Sequence, residues 1–210
     1  MTKATDPIGE RYRRLDAFLA RLNADIYPEP PNGIHTHLTQ HMVAEVRRLY
    51  DLPDGAAVLD IGCGQGLALE AFQAAGFKPI GVTMGEDARI CRAKGFDVRE
   101  QDFSFLDFDD ATFDLVWCRH ALEHSVFPYF MLSEMHRMLK PGGLLYVEVP
   151  IADTGCKHQD NPNHYSVLGK SMWVSLIRRA GFPEVRIRDL NFTTNLGPDT
   201  YWAFMQRKPA

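Results

Sequence analysis

The stretch VLDIGCGQG, residues 58–66, is an apolar run that meets Asp60 and then places glycine at 62, 64 and 66. A strand opening into such a turn brings backbone close to a ligand, because glycine has no Cβ to hold it off. Which ligand depends on spacing. A dinucleotide turn reads G-x-G-x-x-G, its third glycine easing helix–strand contact under a pyrophosphate. The position needed for that glycine is Leu67. A P-loop needs Gly-Lys-Ser/Thr, which is missing. A nicotinamide or flavin oxidoreductase is therefore disfavoured, and so is a nucleotide hydrolase. The turn suits a ligand without phosphate, with Asp60 open to a cation.

Histidine is the natural base near neutral pH, and the chain has eight. His120 follows the apolar run FDLVWC, and His124 lies four residues on. His158 and His164, with Tyr165, fall in IADTGCKHQDNPNHYS (151–166), a long connection without periodicity. Such a segment inside a compact domain usually carries function. His35, His37 and His41 form a third group in GIHTHLTQHM; in a helix His37 and His41 share a face. No cysteine or carboxylate motif completes a known metal site there, so no metal is expected, and a lid or a solvated face is the better reading. His136, beside Arg137, reads as a surface residue.

Alternating elements must position these groups. Residues 10–26 have helical spacing through Leu15, Phe18, Leu19, Leu22 and Ile26, and YPEPPNG stops the helix. A second helix, about 39–50, packs through Met42, Val43, Val46 and Leu49. From Ala57 onward short apolar strands (AVLDI, KPIGVT, FDVREQD, FDLVWC, GLLYVEV) alternate with amphipathic helices. That order predicts a three-layer, doubly wound α/β sheet, mostly parallel, with helices on both faces. A helix over 170–181 precedes EVRIRDLNF and YWAFMQRK, read as a closing antiparallel pair. Gly76, Gly95 and Gly142 are read as left-handed caps after helices. The chain is expected to be one domain, a helical extension or lid over 1–54 on a unit over 55–210. Ligands of such sheets sit outside the carboxyl ends of the strands where strand order reverses.

Together, VLDIGCGQG, GVTMGED, REQDFSFLDFDDATFDLVWCRHALEHS and EMHRMLKPGGLLYVEVP resemble the S-adenosylmethionine-dependent methyltransferases of the seven-stranded, Rossmann-like class I, in particular its small-molecule, type 11-like branch. The resemblance covers roughly residues 55–185. It implies S-adenosylmethionine as cofactor, its methionine end held by Asp60, Gly62, Gly64 and Gly66, with Cys63 in the same turn. Asp102 matches the position that accepts the adenine amino hydrogen, Phe103 donates from its backbone, and Met84 packs on the adenine. Arg119 is also placed with the cofactor. An acidic residue usually ends strand 2 and takes the ribose hydroxyls; here it is Thr83, as in the cyclopropane-fatty-acid synthase type. A threonine hydroxyl cannot make the bidentate pair, which leaves Glu86 or Asp87 to help. His120, His158 and His164 are the candidate catalytic bases, and the EH pair containing His124 often supports the turn.

Function is thus expected to be methyl transfer to oxygen, nitrogen or carbon of a small acceptor. Phe127, Tyr129 and Tyr165 are candidates for the mouth. The alternatives are a non-catalytic S-adenosylmethionine-binding protein or, with less support, the oxidoreductase. Nucleic-acid amino methylation would want Asn/Asp-Pro-Pro-Tyr/Phe after strand 4, where CRHALEH stands; NPNHY falls after strand 5. A net charge of -4 in 210 residues supplies no attraction to polyanions, and the arginine clusters are short. No apolar run approaches the about 18 residues of a membrane span. Four cysteines without CxxC spacing read as reduced thiols, so the expected location is cytoplasmic. The sequence fixes neither the acceptor nor the oligomeric state.

Overall fold

The computed structural model describes residues 7–24, 28 and 30–210. Two helices, α1 (Pro7–Asn23) and α2 (Gly33–Leu49), precede β1 (Ala57–Ile61), α3 (Leu67–Ala74), β2 (Lys78–Thr83), α4 (Gly85–Ala93) and β3 (Val98–Glu100). Then come β4 (Phe113–Arg119), α5 (Pro128–Met138), β5 (Leu139–Pro150), α6 (Lys170–Arg179), β6 (Arg186–Thr194) and β7 (Gly197–Arg207). One-turn helices cover Leu122–His124 and His158–Asp160. The strands form one sheet in the order β3-β2-β1-β4-β5-β7-β6. β1 runs parallel to β2 and β4, and β4 to β5, while β7 is antiparallel to both β5 and β6. Strand order reverses between β1 and β4, so the ligand crevice opens at Asp60–Ile61 and Cys118–Arg119.

Alternation along each strand sends neighbours to opposite faces. Leu59, Ile61, Val116, Cys118 and Val147 pack with Met131 and Met135 of α5 and Trp173 and Ile177 of α6. Val58, Leu115, Trp117 and Tyr146 pack with Met42, Val43 and Val46 of α2 and Phe72 of α3. Trp117 stacks on Tyr146 at 3.7 Å and meets the edge of Phe72 at 5.2 Å. Each side chain so buried contributes about 1.5–3 kcal/mol. α2 is therefore part of the sheet's cover, with Thr39, Met42, Val43 and Val46 buried, while α1 reaches the fold chiefly through its end.

Three boundaries differ from the sequence expectation. α2 begins at Gly33 because Asn32 caps it, accepting from the His35 N–H at 2.9 Å; this brings His35 and His37 into the helix. α1 ends at Asn23, and Ile26 lies outside the described residues. Gly142 caps no helix. α5 ends at Met138, and Gly142 turns with φ +74° inside β5, where the β4–β5 register shifts between Phe113 and Leu115. Its N–H donates to the Lys208 carbonyl at 3.0 Å.

Candidate functional site

A cavity opens at the crevice. Its wall is made by Gly62 and Gly64 after β1, the end of β2 and the start of α4, the segments that follow β3 and β4, Asn163 and Tyr165, and Leu22 and Asn23 of α1. The three glycines of the turn do different things. A Cβ on Gly62 would stand 2.5 Å from that of Ala121, and one on Gly66 would stand 2.7 Å from the Phe96 ring. These two allow packing. Gly64 has φ +49°, and a Cβ there would meet nothing within 4 Å; it would project into free space at the cavity wall.

Polar groups at this cavity lack partners. Asp60 is 2% exposed, and its Oδ2 has no hydrogen bond among the described residues. Burial raises its pKa to about 7, and the Arg119 charge only partly opposes this. Asp87 is buried with Oδ1 unpaired, and Gln101 Oε1 is likewise unpaired. Both line the cavity, as do Thr83, Met84 and Phe103. Glu86 instead pairs with Arg89 at the surface. Unsatisfied buried acceptors are rare and need a cause. Asp87 and Gln101 face a space that a cationic, hydroxyl-bearing ligand would fill, and Asp60 is buried two residues before Gly62, which lines it.

Other residues expected at the cofactor stand behind the wall. Asp102 is occupied: one carboxylate oxygen accepts from the Ser104 N–H at 2.8 Å and the other from Asn23 Nδ2 at 2.9 Å. It ties the end of α1 to the rim, flanked by the lining residues Gln101 and Phe103. Cys63 is buried beside the turn, and Cys91 Sγ donates to the Gly64 carbonyl at 3.2 Å. Arg119 is ion-paired with Glu148 at 2.8 Å.

A second cavity, of about 1340 Å³, shares His120 and His124 with the first. Segments far apart in sequence enclose it: Asn32–His35, Cys156–His164, and Phe192 with Tyr201 from the β6–β7 hairpin. At the shared wall His120, with φ +53°, is gripped by two buried carboxylates. Its Nε2 lies 3.1 Å from Glu148 Oε1 and its Nδ1 3.4 Å from Glu123 Oε1. Burial and the Arg119 charge oppose protonation, but the two carboxylates outweigh them and hold the pKa above its ordinary value. Glu148 sits at about 2 despite full burial, because Arg119, His120 and the Tyr146 hydroxyl all stabilise its charge. Both ring nitrogens of His120, a candidate general base, thus face carboxylate acceptors.

His35 stacks on His120 at 5.3 Å and bonds Tyr201 through Nε2 at 3.2 Å. Burial, then the neighbouring His120 and Arg119 charges, lower its pKa to about 4. His37 and His41 stack on each other on the exposed face of α2, so the group of three does not assemble. His158 Nε2 lies 2.9 Å from Asp199 Oδ2, a carboxylate with no exposed side-chain surface. His164 Nδ1 donates to the His158 carbonyl at 2.8 Å, and His124 Nδ1 to that of Asn163 at 3.0 Å. Ser166 N–H donates to the Glu123 carbonyl at 2.9 Å. The connection 151–166 is therefore stitched across the site at several points.

Tyr165 lines the first cavity, whereas Tyr129 reaches the Arg179 carbonyl on the α5–α6 side. Phe127 lines neither cavity. His136 is half-buried over Gly181, with its ring edge-on to Phe182, rather than on the surface. Sequence reasoning missed Glu123, Glu148, Gln101, Asn23, Asp199 and Tyr201. Glu148 did carry a signal, a lone charge in the apolar run LLYVEVP; the others depend on which strands become neighbours.

Residues 59–147 match the family described as a methyltransferase domain. A 24-methylenesterol C-methyltransferase 2 of Oryza sativa subsp. japonica is 31% identical over 152 residues, 67% of this chain and 41% of that protein. A ubiquinone biosynthesis O-methyltransferase of Methylococcus capsulatus is 32% identical over 100 residues, 44% of this chain and 42% of that one. The chain thus spans about two fifths of the length of these relatives. Among solved structures the (4+2)-cyclase SpnF superposes with a TM-score of 0.69 at 22% identity, covering 97% of this chain and 95% of that one. At that identity the likeness is one of fold.

Proposed function

Since the chain belongs to the class I, S-adenosylmethionine-dependent methyltransferases of the small-molecule branch, we propose that it transfers the methyl group of that cofactor to a hydroxyl oxygen of a small acceptor held in the second cavity. The observation that carries the reading is Asp60: a buried carboxylate whose Oδ2 has no hydrogen-bond partner among the described residues, at the start of a turn whose Gly64 leaves the backbone bare. The cofactor supplies a methyl group on positive sulfur, together with an ammonium, a ribose and an adenine.

In this reading Asp60 holds the ammonium, and the turn of Gly62, Gly64 and Gly66 lets the methionine end lie against the backbone. Asp87, one helical turn beyond Thr83, replaces the missing strand-2 acid at the ribose, with Thr83 adding one hydrogen bond. Met84, Phe103 and Gln101 enclose the adenine. Cys63, Asp102 and Arg119 support these residues from behind. Leu22 and Asn23 make the end of α1 a lid over the cofactor, while α2 stays part of the sheet's cover. Much of the catalysis is positioning of the acceptor in line with the methyl. His158 supplies the base: Asp199 fixes its Nε2–H tautomer, which leaves the lone pair on Nδ1. The hydroxyl acceptor is favoured by the likeness to O-methyltransferases. The four free thiols suit a cytoplasmic protein, and among the described residues no helix is long and apolar enough to cross a membrane.

Methyl-labelled S-adenosylmethionine, incubated with the protein and a panel of phenols and other hydroxylated small molecules, tests this. S-adenosylhomocysteine formed together with a labelled product is the expected result. Cofactor binding without turnover on any hydroxyl, amine or carbon acceptor would favour the non-catalytic binding protein. Absence of binding would remove both readings.

A further inference from the structure

The second cavity contains a side-chain set that cofactor binding does not use. Among the described residues, Glu123, His124 and His164 each bring one ligand-type atom within 4.8 Å of the other two, and all three line this cavity. The Glu123 carboxylate is 1% exposed; Oε1 faces His120, and Oε2 has no hydrogen-bond partner among the described residues. The two imidazoles are oriented by backbone. His124 Nδ1 lies 3.0 Å from the Asn163 carbonyl and His164 Nδ1 2.8 Å from the His158 carbonyl. A carbonyl can only accept, so each Nδ1 carries the proton and each neutral ring keeps its lone pair on Nε2. Imidazoles that ligate metals are held in the same way, the far N–H donating to a carbonyl or carboxylate.

We propose that Glu123 Oε2, His124 Nε2 and His164 Nε2 bind one divalent transition-metal ion, of the zinc, cobalt or iron(II) type, whose remaining positions open on the second cavity. Two imidazoles with one carboxylate suit these ions; magnesium and calcium prefer oxygen alone. Three protein ligands leave room for a fourth from solvent or substrate, the pattern of a catalytic rather than a structural site. Ligand distances of about 2.0–2.2 Å require the three donors to draw together by side-chain rotation. The Ser166–Glu123 backbone bond and the edge-on contact of the His124 and His164 rings at 4.6 Å already hold the two segments in register. The other cluster, Cys156, His158 and Asp199, is a weaker host. Its members bond one another and their neighbours, with His158 on Asp199 at 2.9 Å, Cys156 on Thr194 at 3.5 Å and the Thr200 N–H on Asp199 at 2.8 Å.

The use of this ion rests on the methyltransferase reading. A hydroxyl ligated to a divalent ion gives up its proton more readily. The proton passes to His158, the oxygen lone pair forms the new bond to the methyl carbon, and the carbon–sulfur bond breaks with its electrons remaining on sulfur. The acceptor class is then a compound with an ionisable hydroxyl, phenolic or enolic, able to reach the ion.

Cobalt(II) chloride added to chelator-treated protein tests the site without any turnover assay. One equivalent is expected to bind and to develop visible ligand-field absorption stronger than that of the hydrated ion. His164→Ala and Glu123→Gln should each weaken cobalt binding by more than about tenfold, while His164→Ala retains its affinity for S-adenosylmethionine, which shows the fold intact. Cobalt absorption no stronger than the hydrated ion's, or the same affinity in His164→Ala, overturns the proposal. So does a sulfur charge-transfer band abolished by Cys156→Ser, which would put the ion on the other cluster. If S-adenosylmethionine fails to bind the wild-type protein while cobalt binds as expected, the methyl-transfer reading falls and the metal site stands.

Discussion

The two cavities that meet at His120 and His124 are made in different ways. The first is built on local joints, the turn after β1 and the step from β2 into α4, and is closed by Leu22 and Asn23 of α1 and by Asn163 and Tyr165 of the connection 151–166. The second gathers α2's first turn, the connection 151–166 and the β6–β7 hairpin. They differ in charge too. Asp60 and Asp87 leave carboxylate oxygens unpaired at the first cavity, whereas Glu148 beside the second is saturated by Arg119, His120 and Tyr146. The first side therefore keeps its polar capacity for a ligand, and the second has spent most of its own on holding a rigid wall between the two. Glu123 Oε2 is the exception on that side.

Removing the wall's anchor should have the largest effect. Glu148→Ala strands the charges of Arg119 and His120 in the interior and is expected to cost about 3–5 kcal/mol of folding stability, read from urea unfolding. A loss below 1 kcal/mol would mean that the Arg119–Glu148–His120 set is not what fixes the junction of the two cavities. On the first side the damage should fall on binding. Gly64→Val is expected to lower S-adenosylmethionine affinity by about a hundredfold or more, some 2.7 kcal/mol, while the left-handed backbone costs about 1–2 kcal/mol of stability. If affinity survives, the cofactor does not pass close to Gly64.

His158→Ala should lower turnover by about a hundredfold with cofactor affinity within a factor of two or so of wild type, on the reading that the base belongs to the second cavity alone. Unchanged turnover would remove His158 from the chemistry. The smallest effect is on pH. Asp60 has an ordinary value of 3.8 and a folded value of about 7, so the cofactor-free fold binds this proton more tightly than the unfolded chain does. Its stability should therefore fall as pH rises from about 4 to 7, and level off above. Asp60→Asn should flatten that part of the melting-temperature profile, and an unaltered profile would show Asp60 to be charged and paired.

The same contrast explains what the sequence revealed. Asp60, the three glycines, Thr83, Met84, Asp87 and Phe103 lie at or beside joints between successive elements, so their motif already implies proximity. Even here the bond from Asn23 of α1 to the Asp102 carboxylate is a contact across the fold that no local pattern encodes. The strand and helix types were legible from periodicity. Helix starts were less so, since Asn32 capping moves α2 ahead of its apolar residues. On the second side, Tyr201 reaches His35 and His120 because β7 lies beside β5 with Pro150 opposite Tyr201. That register is a long-range result. His120 has a base's position in the sequence, and the Glu148 carboxylate beside it comes from β5, a partner its local motif does not show.

The account rests on Asp60 as the anchor for the cofactor's ammonium. Calorimetric titration with S-adenosylmethionine at pH 8, of the wild-type protein and of Asp60→Asn, tests it most directly. Wild type should bind one equivalent, and the variant should bind at least about tenfold more weakly, the loss of one charge-assisted contact, while melting at a higher temperature without cofactor because a buried unpaired charge is gone. Equal affinity in the two proteins, or no binding to wild type, would contradict it.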